Sequence, residues 1–244
     1  MTTTIISSFL SNVNSNRSTE IYVNYGKKLL ELNIPKIIFI EKEVYDTYLA
    51  MNTYENTHFV FITRNDINLY EHVDKITNFS IHSDNKTKDT IDYMITICSK
   101  THWVKKGIEL NVFNTEQFVW IDFGLFHMVK DKSEFNIYIH NMMTKYYENV
   151  RISGIWDLNI VSYNNLEIDI YNKIMWYFSG CVFGGNPEKL VLFANLVNEK
   201  CIQIINEKKT LIWEVNVWFL VYKDHPELFD HYKSDHNILT IIYY

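Results

Sequence analysis

The sequence predicts an α/β fold: one domain over residues 1–244, with helices covering both faces of a mixed, mostly parallel sheet. Three observations predict it. Short continuous apolar runs recur along the chain, Lys36-Ile37-Ile38-Phe39-Ile40 and Phe118-Val119-Trp120-Ile121 among them, and runs of this kind are strands buried on both faces. Between them lie stretches with apolar residues at helical spacing, and the resulting alternation is the pattern of βαβ units. The 244 residues, 47% of them hydrophobic, suffice for one sizeable core and not comfortably for two.

The elements follow in order. Thr4 to Leu10 reads as the first strand and Ser11 to Arg17 as a polar loop. Ser18 then caps a helix whose apolar positions are Ile21, Tyr25, Leu29 and Leu32. Pro35 ends it, and Lys36 to Ile40 and His58 to Ile62 are the next two strands. Ile91, Met94, Ile95 and Cys98 share one face of a later helix. The run from Phe118 ends on Asp122, followed by Phe123-Gly124; in open α/β sheets ligands bind beyond the carboxyl ends of the strands, where such an acid faces them. Ser179 to Pro187 gathers three of the seven glycines. That cluster reads either as a tight turn that a ligand approaches closely or as a bulged strand feeding a helix cap. Asn186-Pro187-Glu188 opens a long helix with Leu190, Phe193, Leu196, Val197 and Ile204 inward. A second helix, about Trp213 to Tyr222, buries Trp213, Val217, Leu220 and Val221 and leaves Glu214 beside the stripe. Ile238 to Tyr243 closes the chain as a strand or tucked extended segment.

Composition narrows the function classes. A formal charge of -6 with no Lys/Arg run argues against a nucleic-acid binder, which needs clustered cations. Cys98, Cys181 and Cys201 lie far apart, with neither a disulfide framework nor a zinc spacing. No apolar run reaches the length of a bilayer span and no basic leader precedes the first strand, so a soluble, cytoplasmic chain is expected. The acceptor-like tripeptides at Asn16, Asn78 and Asn85 are then not read as glycosylated. Aromatic residues make up 16% of the chain and offer flat surfaces on which bases or sugars stack.

Asp122-Phe123-Gly124 also spells the metal-binding triplet of protein kinases, but no glycine-rich phosphate loop, Val-Ala-Ile-Lys strand or His-Arg-Asp loop precedes it. Two readings stand: an acid that caps a turn, or an acid that meets a metal-bound diphosphate at a sheet edge. Glu214 reads as an acceptor base or as an acid near a helix N-terminus. Arg17 and Lys100 contact phosphate or are surface charges. Asp224-His225, Asp230-His231 and Asp235-His236 match no zinc pattern and read as solvated loops.

Six short segments, in order, resemble the HtrL/YibB-like (WlaTC-type) glycosyltransferase family over nearly the whole chain. They are Ser7-Ser8-Phe9 with Arg17-Ser18 and Tyr22; Tyr93 to Ser99-Lys100; Phe118 to Gly124; Ser179-Gly180 with Phe183-Gly184-Gly185; Trp213-Glu214; and Pro226-Glu227-Leu228-Phe229. The resemblance implies a GT-A-like, Rossmann-like αβα sandwich and transfer of a sugar from a nucleotide-sugar donor, a UDP-sugar among the options, to a glycan or other hydroxyl acceptor. It implies a donor site of Ser7, Ser8, Phe9, Arg17, Tyr22, Lys100, Trp120, Asp122 and Gly124, with the base and ribose against Ser7 to Arg17. Sugar or acceptor contacts fall to Gly184, Gly185 and Trp213, and catalysis to Asp122 and Glu214. The acid motif of that fold class usually reads Asp-x-Asp; here Gly124 stands in the second place. A Mn²⁺ or Mg²⁺ ion would therefore be held by Asp122 with His231 or His236 completing the set. Two alternatives remain: a protein on the same fold that binds a nucleotide or glycan without turnover, and a phosphate-handling enzyme such as a nucleotidyltransferase, which also uses strand-end acids and metal.

Overall fold

A computed structural model describes residues 3–11, 17–82, 85–129, 132–157 and 166–244. Asn16 and most of the predicted Ser11 to Arg17 loop, residues 12–16, lie outside the described residues. The strands are β1 (Thr3–Phe9), β2 (Lys36–Ile40), β3 (Thr57–Phe61), β4 (Gln117–Ile121), β5 (Val150–Gly154), β6 (Phe178–Gly185) and β7 (Phe229–Lys233). They form one seven-stranded sheet in the order β3-β2-β1-β4-β6-β5-β7. β6 runs antiparallel to both of its neighbours and every other pairing is parallel. This is the mixed, mostly parallel sheet that the sequence predicts.

Strand parity creates the two layers, because successive side chains point to opposite faces. Ile6, Ile37, Phe39, Phe118, Trp120 and Phe183 point one way, into a core shared with α3 (Ile91–Cys98), α4 (Lys100–Leu110), α6 (Leu166–Asn172), α7 (Pro187–Lys208) and α8 (Glu214–Asp224). Ile5, Ile38, Ile40, Val119, Ile121 and Val182 point the other way, against α1 (Thr19–Leu30), α2 (Lys42–Tyr48), α5 (Lys132–Met143) and α9 (Leu239–Ile242). Apolar residues at both parities are what made these runs continuous in the sequence.

The caps form as the sequence suggests. Ser18 Oγ accepts from Ile21 N at 3.3 Å, and Asn186 Oδ1 accepts from Glu188 N at 2.9 Å ahead of Pro187. The apolar stripe of α1 is rotated from the expected one: Val23, Gly26, Leu29 and Leu30 are buried, while Ile21 is 45% exposed. The cause is Phe123, whose ring lies so close to the helix that a Cβ at Gly26 would come within 2.1 Å of it. Gly26→Ala should therefore overpack this contact and cost about 2 kcal/mol, read as a lower denaturant midpoint with an unchanged m-value.

Two further expectations are corrected. The closing segment is not extended: Leu239–Ile242 is a short helix that packs beside α5. The stretch after Pro226, read as solvated loop, holds β7, because parallel pairing with β5 from Val150 opposite Phe229 to Gly154 opposite Lys233 satisfies its backbone.

Candidate active site

From β1 the sheet continues to β2 and β3 on one side, while β4 pairs on the other. This reversal opens a crevice at the carboxyl ends of β1 and β4, the place where open α/β sheets bind ligands. A cavity of about 450 Å³ lies there. Ser8, Phe9 and Leu10 line it from the end of β1, Arg17 and Tyr22 from the start of α1, and Lys88, Tyr93 and Lys100 from around α3 and α4. Trp120, Asp122, Phe123 and Gly124 come from the end of β4, Ser179, Gly180 and Cys181 from β6, and Glu214, Trp176 and His236 complete the wall.

The direction of β6 decides which of its glycines arrives. Because β6 is antiparallel to β4, its first residues lie beside the last of β4: Ile121 faces Val182, and Asp122 N donates to Cys181 O at 3.0 Å. Gly180 thus reaches the cavity. A Cβ there would lie 2.4 Å from Glu214 Oε1 and 3.3 Å from Lys100 Nζ, so the bare backbone is what lets both side chains close on the strand.

At the centre is a buried ammonium. The helical run from Ile91 breaks at Ser99, so Lys100 is the first residue of α4 and turns inward. Its Nζ lies 3.0 Å from Asp122 Oδ1 and donates to Asp122 Oδ2 at 3.1 Å, to Gly180 O at 2.9 Å and to Glu214 Oε1 at 3.0 Å. Trp120 Nε1 donates to Asp122 Oδ1 at 2.7 Å. Ser99 Oγ donates to Ile95 O, which fixes the break.

The energetics of this cluster are those of charges taken partly out of water. The Lys100 and Glu214 side chains are each 10% exposed, and Asp122 33%. Burial alone would lower the Lys100 pKa, but Asp122 and then Glu214 outweigh it and hold the ammonium above its ordinary range. Burial raises the Asp122 carboxyl, and Lys100 only partly offsets the shift. The Tyr93 hydroxyl is pushed up by burial and, next, by Glu214. With both acids ionised, two carboxylates share one cation.

A family model described as "Bacterial protein of unknown function (HtrL_YibB)" matches residues 2–239. The chain belongs to the HtrL/YibB family. No curated protein matches it. Among solved structures, the apo form of mouse xyloside xylosyltransferase 1 matches at 12% identity and a TM-score of 0.45, over 93% of this chain and 84% of that one. A 4-diphosphocytidyl-2C-methyl-D-erythritol synthase from Anaerococcus prevotii DSM 20548 matches at 9% identity and a TM-score of 0.42, over 98% and 89%.

Of the residues that the HtrL/YibB resemblance puts forward, Ser8, Phe9, Arg17, Tyr22, Lys100, Trp120, Asp122, Gly124, Glu214 and His236 line one cavity. Ser7 does not: it is fully buried, and its Oγ donates to Ile121 O at 2.6 Å, tying β1 to the end of β4. Gly184 and Gly185 pair with Val119 and Phe118, toward the opposite end of the sheet from Asp122, because the chain runs away from the cavity along β6. Trp213 precedes α8 and is buried in the hydrophobic core. Lys88, Tyr93, Trp176 and Gly180 were not put forward. Tyr93 and Gly180 sit inside segments that carried the resemblance; for Lys88 and Trp176 the sequence offers no signal, since only folding brings them to the crevice.

The expected metal ligands do not come together. His231 lies exposed on β7 and does not line the cavity, whereas His236 does, set edge-on to Trp176 at 4.3 Å between ring centroids. Among the described residues no three His, Cys, Asp or Glu side chains are grouped to hold a metal ion. The donor chemistry agrees: Asp122 Oδ1 accepts from Trp120, and both of its oxygens and Glu214 Oε1 face the Lys100 ammonium. A Mg²⁺ or Mn²⁺ ion takes oxygen ligands in near-octahedral array, with one or two carboxylates sufficing where phosphates and water supply the rest; at Asp122 it would have to displace a lysine already in its place. The Lys100 ammonium thus stands between the two carboxylates, where an ion bridging them would lie.

Proposed function

We propose that this chain is a nucleotide-sugar-dependent glycosyltransferase acting on a glycan or other hydroxyl acceptor. One observation carries the reading: a ligand-sized cavity at the switch point of the sheet holds two carboxylates fixed on either side of one buried ammonium. The rings of Phe9 and Tyr22, 5.8 Å apart between centroids, offer an apolar wall for the base near the end of β1.

In the proposed reaction the bond from the anomeric carbon to the diphosphate breaks and a bond to the acceptor oxygen forms. The nucleoside diphosphate leaves with the bonding electrons, and the acceptor loses its proton. The anomeric centre becomes oxocarbenium-like, by analogy with glycoside hydrolysis, and the excess negative charge of the Asp122–Glu214 pair suits it. Asp122 orients the sugar. Glu214, on the cavity wall, takes the acceptor proton if configuration is inverted. Lys100 holds both carboxylates in place.

The test is release of free nucleoside diphosphate from a panel of nucleotide sugars, with glycan acceptors supplied. Turnover with at least one donor is expected. Tight binding of a donor with no turnover would leave a binding protein on this fold, and pyrophosphate released from a nucleoside triphosphate would point to nucleotidyl transfer. Glu214→Gln should lower kcat by about a hundredfold with no loss of donor affinity; lost affinity would assign Glu214 to donor binding instead.

A further inference from the structure

We infer that this chain binds the diphosphate of its donor without a divalent metal, through Arg17 and Lys88. The inference rests on the proposed reading of the cavity as a donor site, and it goes beyond that reading by assigning the phosphate ligands and excluding the ion as a requirement. A diphosphate brought into the crevice meets Asp122 and Glu214, which share only Lys100, so cations must come from elsewhere if the ligand is to bind. Lys100 has none to spare: its ammonium donates to Asp122, to Gly180 O and to Glu214, which uses all of its N–H groups.

Arg17 and Lys88 line the same cavity, both half-buried. Among the described residues neither forms a salt bridge with a carboxylate. Each is instead held over a ring. The Arg17 guanidinium lies 5.7 Å from the Tyr22 centroid and 5.9 Å from that of Tyr25, and Lys88 Nζ lies 4.7 Å from that of Tyr93. Tyr22 and Tyr93 also line the cavity. A cation on a ring face is partly ordered and keeps its N–H groups for another acceptor. Two such cations match two phosphates, Arg17 by a fork of donors and Lys88 as a point charge.

Titration calorimetry on the full chain tests this with four nucleoside diphosphates (of uridine, guanosine, adenosine and cytidine) and inorganic pyrophosphate, in EDTA and in excess Mn²⁺ or Mg²⁺. At least one nucleoside diphosphate should bind in EDTA, and its Kd should change by no more than about twofold with metal. Arg17→Ala and Lys88→Ala should each weaken it by about tenfold or more, while Lys88→Arg keeps most of the affinity. Binding of the corresponding nucleoside should be unchanged in Lys88→Ala, which shows that the variant is folded and that the loss is a phosphate effect. The inference is overturned if affinity rises tenfold or more with metal, if both alanine variants bind like the parent chain, or if no probe binds. Failure of the functional reading looks different: metal-independent binding with no turnover would sink glycosyl transfer and leave this inference standing, and strictly Mn²⁺-dependent turnover would do the reverse.

Discussion

Lys100→Met is expected to be the most damaging single change at the site, costing about 3 kcal/mol of stability together with nearly all activity. One ammonium lies 3.0 Å from Asp122 and 3.0 Å from Glu214, so the two carboxylate oxygens are no more than about 6 Å apart. Without the cation their repulsion is about 3 kcal/mol at about 6 Å and an effective dielectric of about 20, less whatever water screens at Asp122, which is a third exposed. Gly180 O also loses its donor, in a place where methionine offers none. The variant has one cheap relief, which is to protonate one acid. A carboxyl whose folded pKa lies above its unfolded value binds its proton first in the folded state, so stability rises as pH falls through the folded value. The melting temperature of Lys100→Met should accordingly recover toward that of the parent chain between pH 7 and pH 5. An equal deficit at both pH values would mean that the loss is one of packing and not of charge.

What the sequence announced, and what it withheld, divides along the range of the interactions. Ser18 and Asn186 were legible as caps because a cap bonds to an amide two or three residues away. The strand ending on Asp122 was legible because a strand buried on both faces needs an unbroken apolar run. The antiparallel course of β6 was not, since it follows from pairing with β4 and β5 far off in the chain. That one direction decides which glycine meets the cavity: Gly184 and Gly185 lie next to the helix cap in sequence, but reversal delivers Gly180 to the cavity. β7 was not legible for the same reason: its burial does not alternate, with Phe229 and Tyr232 buried and His231 and Lys233 exposed, and its partner β5 defines it.

The site shows the same division. Asp122, Lys100 and Glu214 were each named from local pattern, but their meeting was not legible, because Lys100 and Glu214 are 114 residues apart and touch only through the fold. The expected metal set turns on the same point, since only folding brings Lys100 between Asp122 and Glu214. Sequence shows that Gly124 removes a second acid; it does not show that a lysine fills the space an ion would need. Lys88 had no pattern to mark it and is assigned by its place in the crevice alone.

Asp122→Asn is expected to separate function from stability in the opposite sense to Lys100→Met. The amide is nearly isosteric and its Oδ1 can still accept from Trp120 Nε1, so the turn after β4 is kept, while its NH2 replaces the Oδ2 acceptor and Lys100 keeps Gly180 O and Glu214 as partners. Burial raises the Asp122 pKa, which means that its ionised form costs the folded state free energy at neutral pH; that cost vanishes only as pH falls through the raised value. Replacing the carboxylate removes the cost and leaves one ammonium facing one carboxylate, Lys100 with Glu214. The melting temperature should therefore be unchanged or higher at pH 7. Turnover should fall about a thousandfold, because a charge aimed at the reacting centre is what the substitution deletes. A substantial drop in melting temperature with most of the activity retained would identify Asp122 as a turn-capping residue and move the reacting sugar elsewhere in the cavity. A residue that lowers stability where it stands, yet whose loss ends turnover, is held there by its chemistry, and this variant measures whether Asp122 is such a residue.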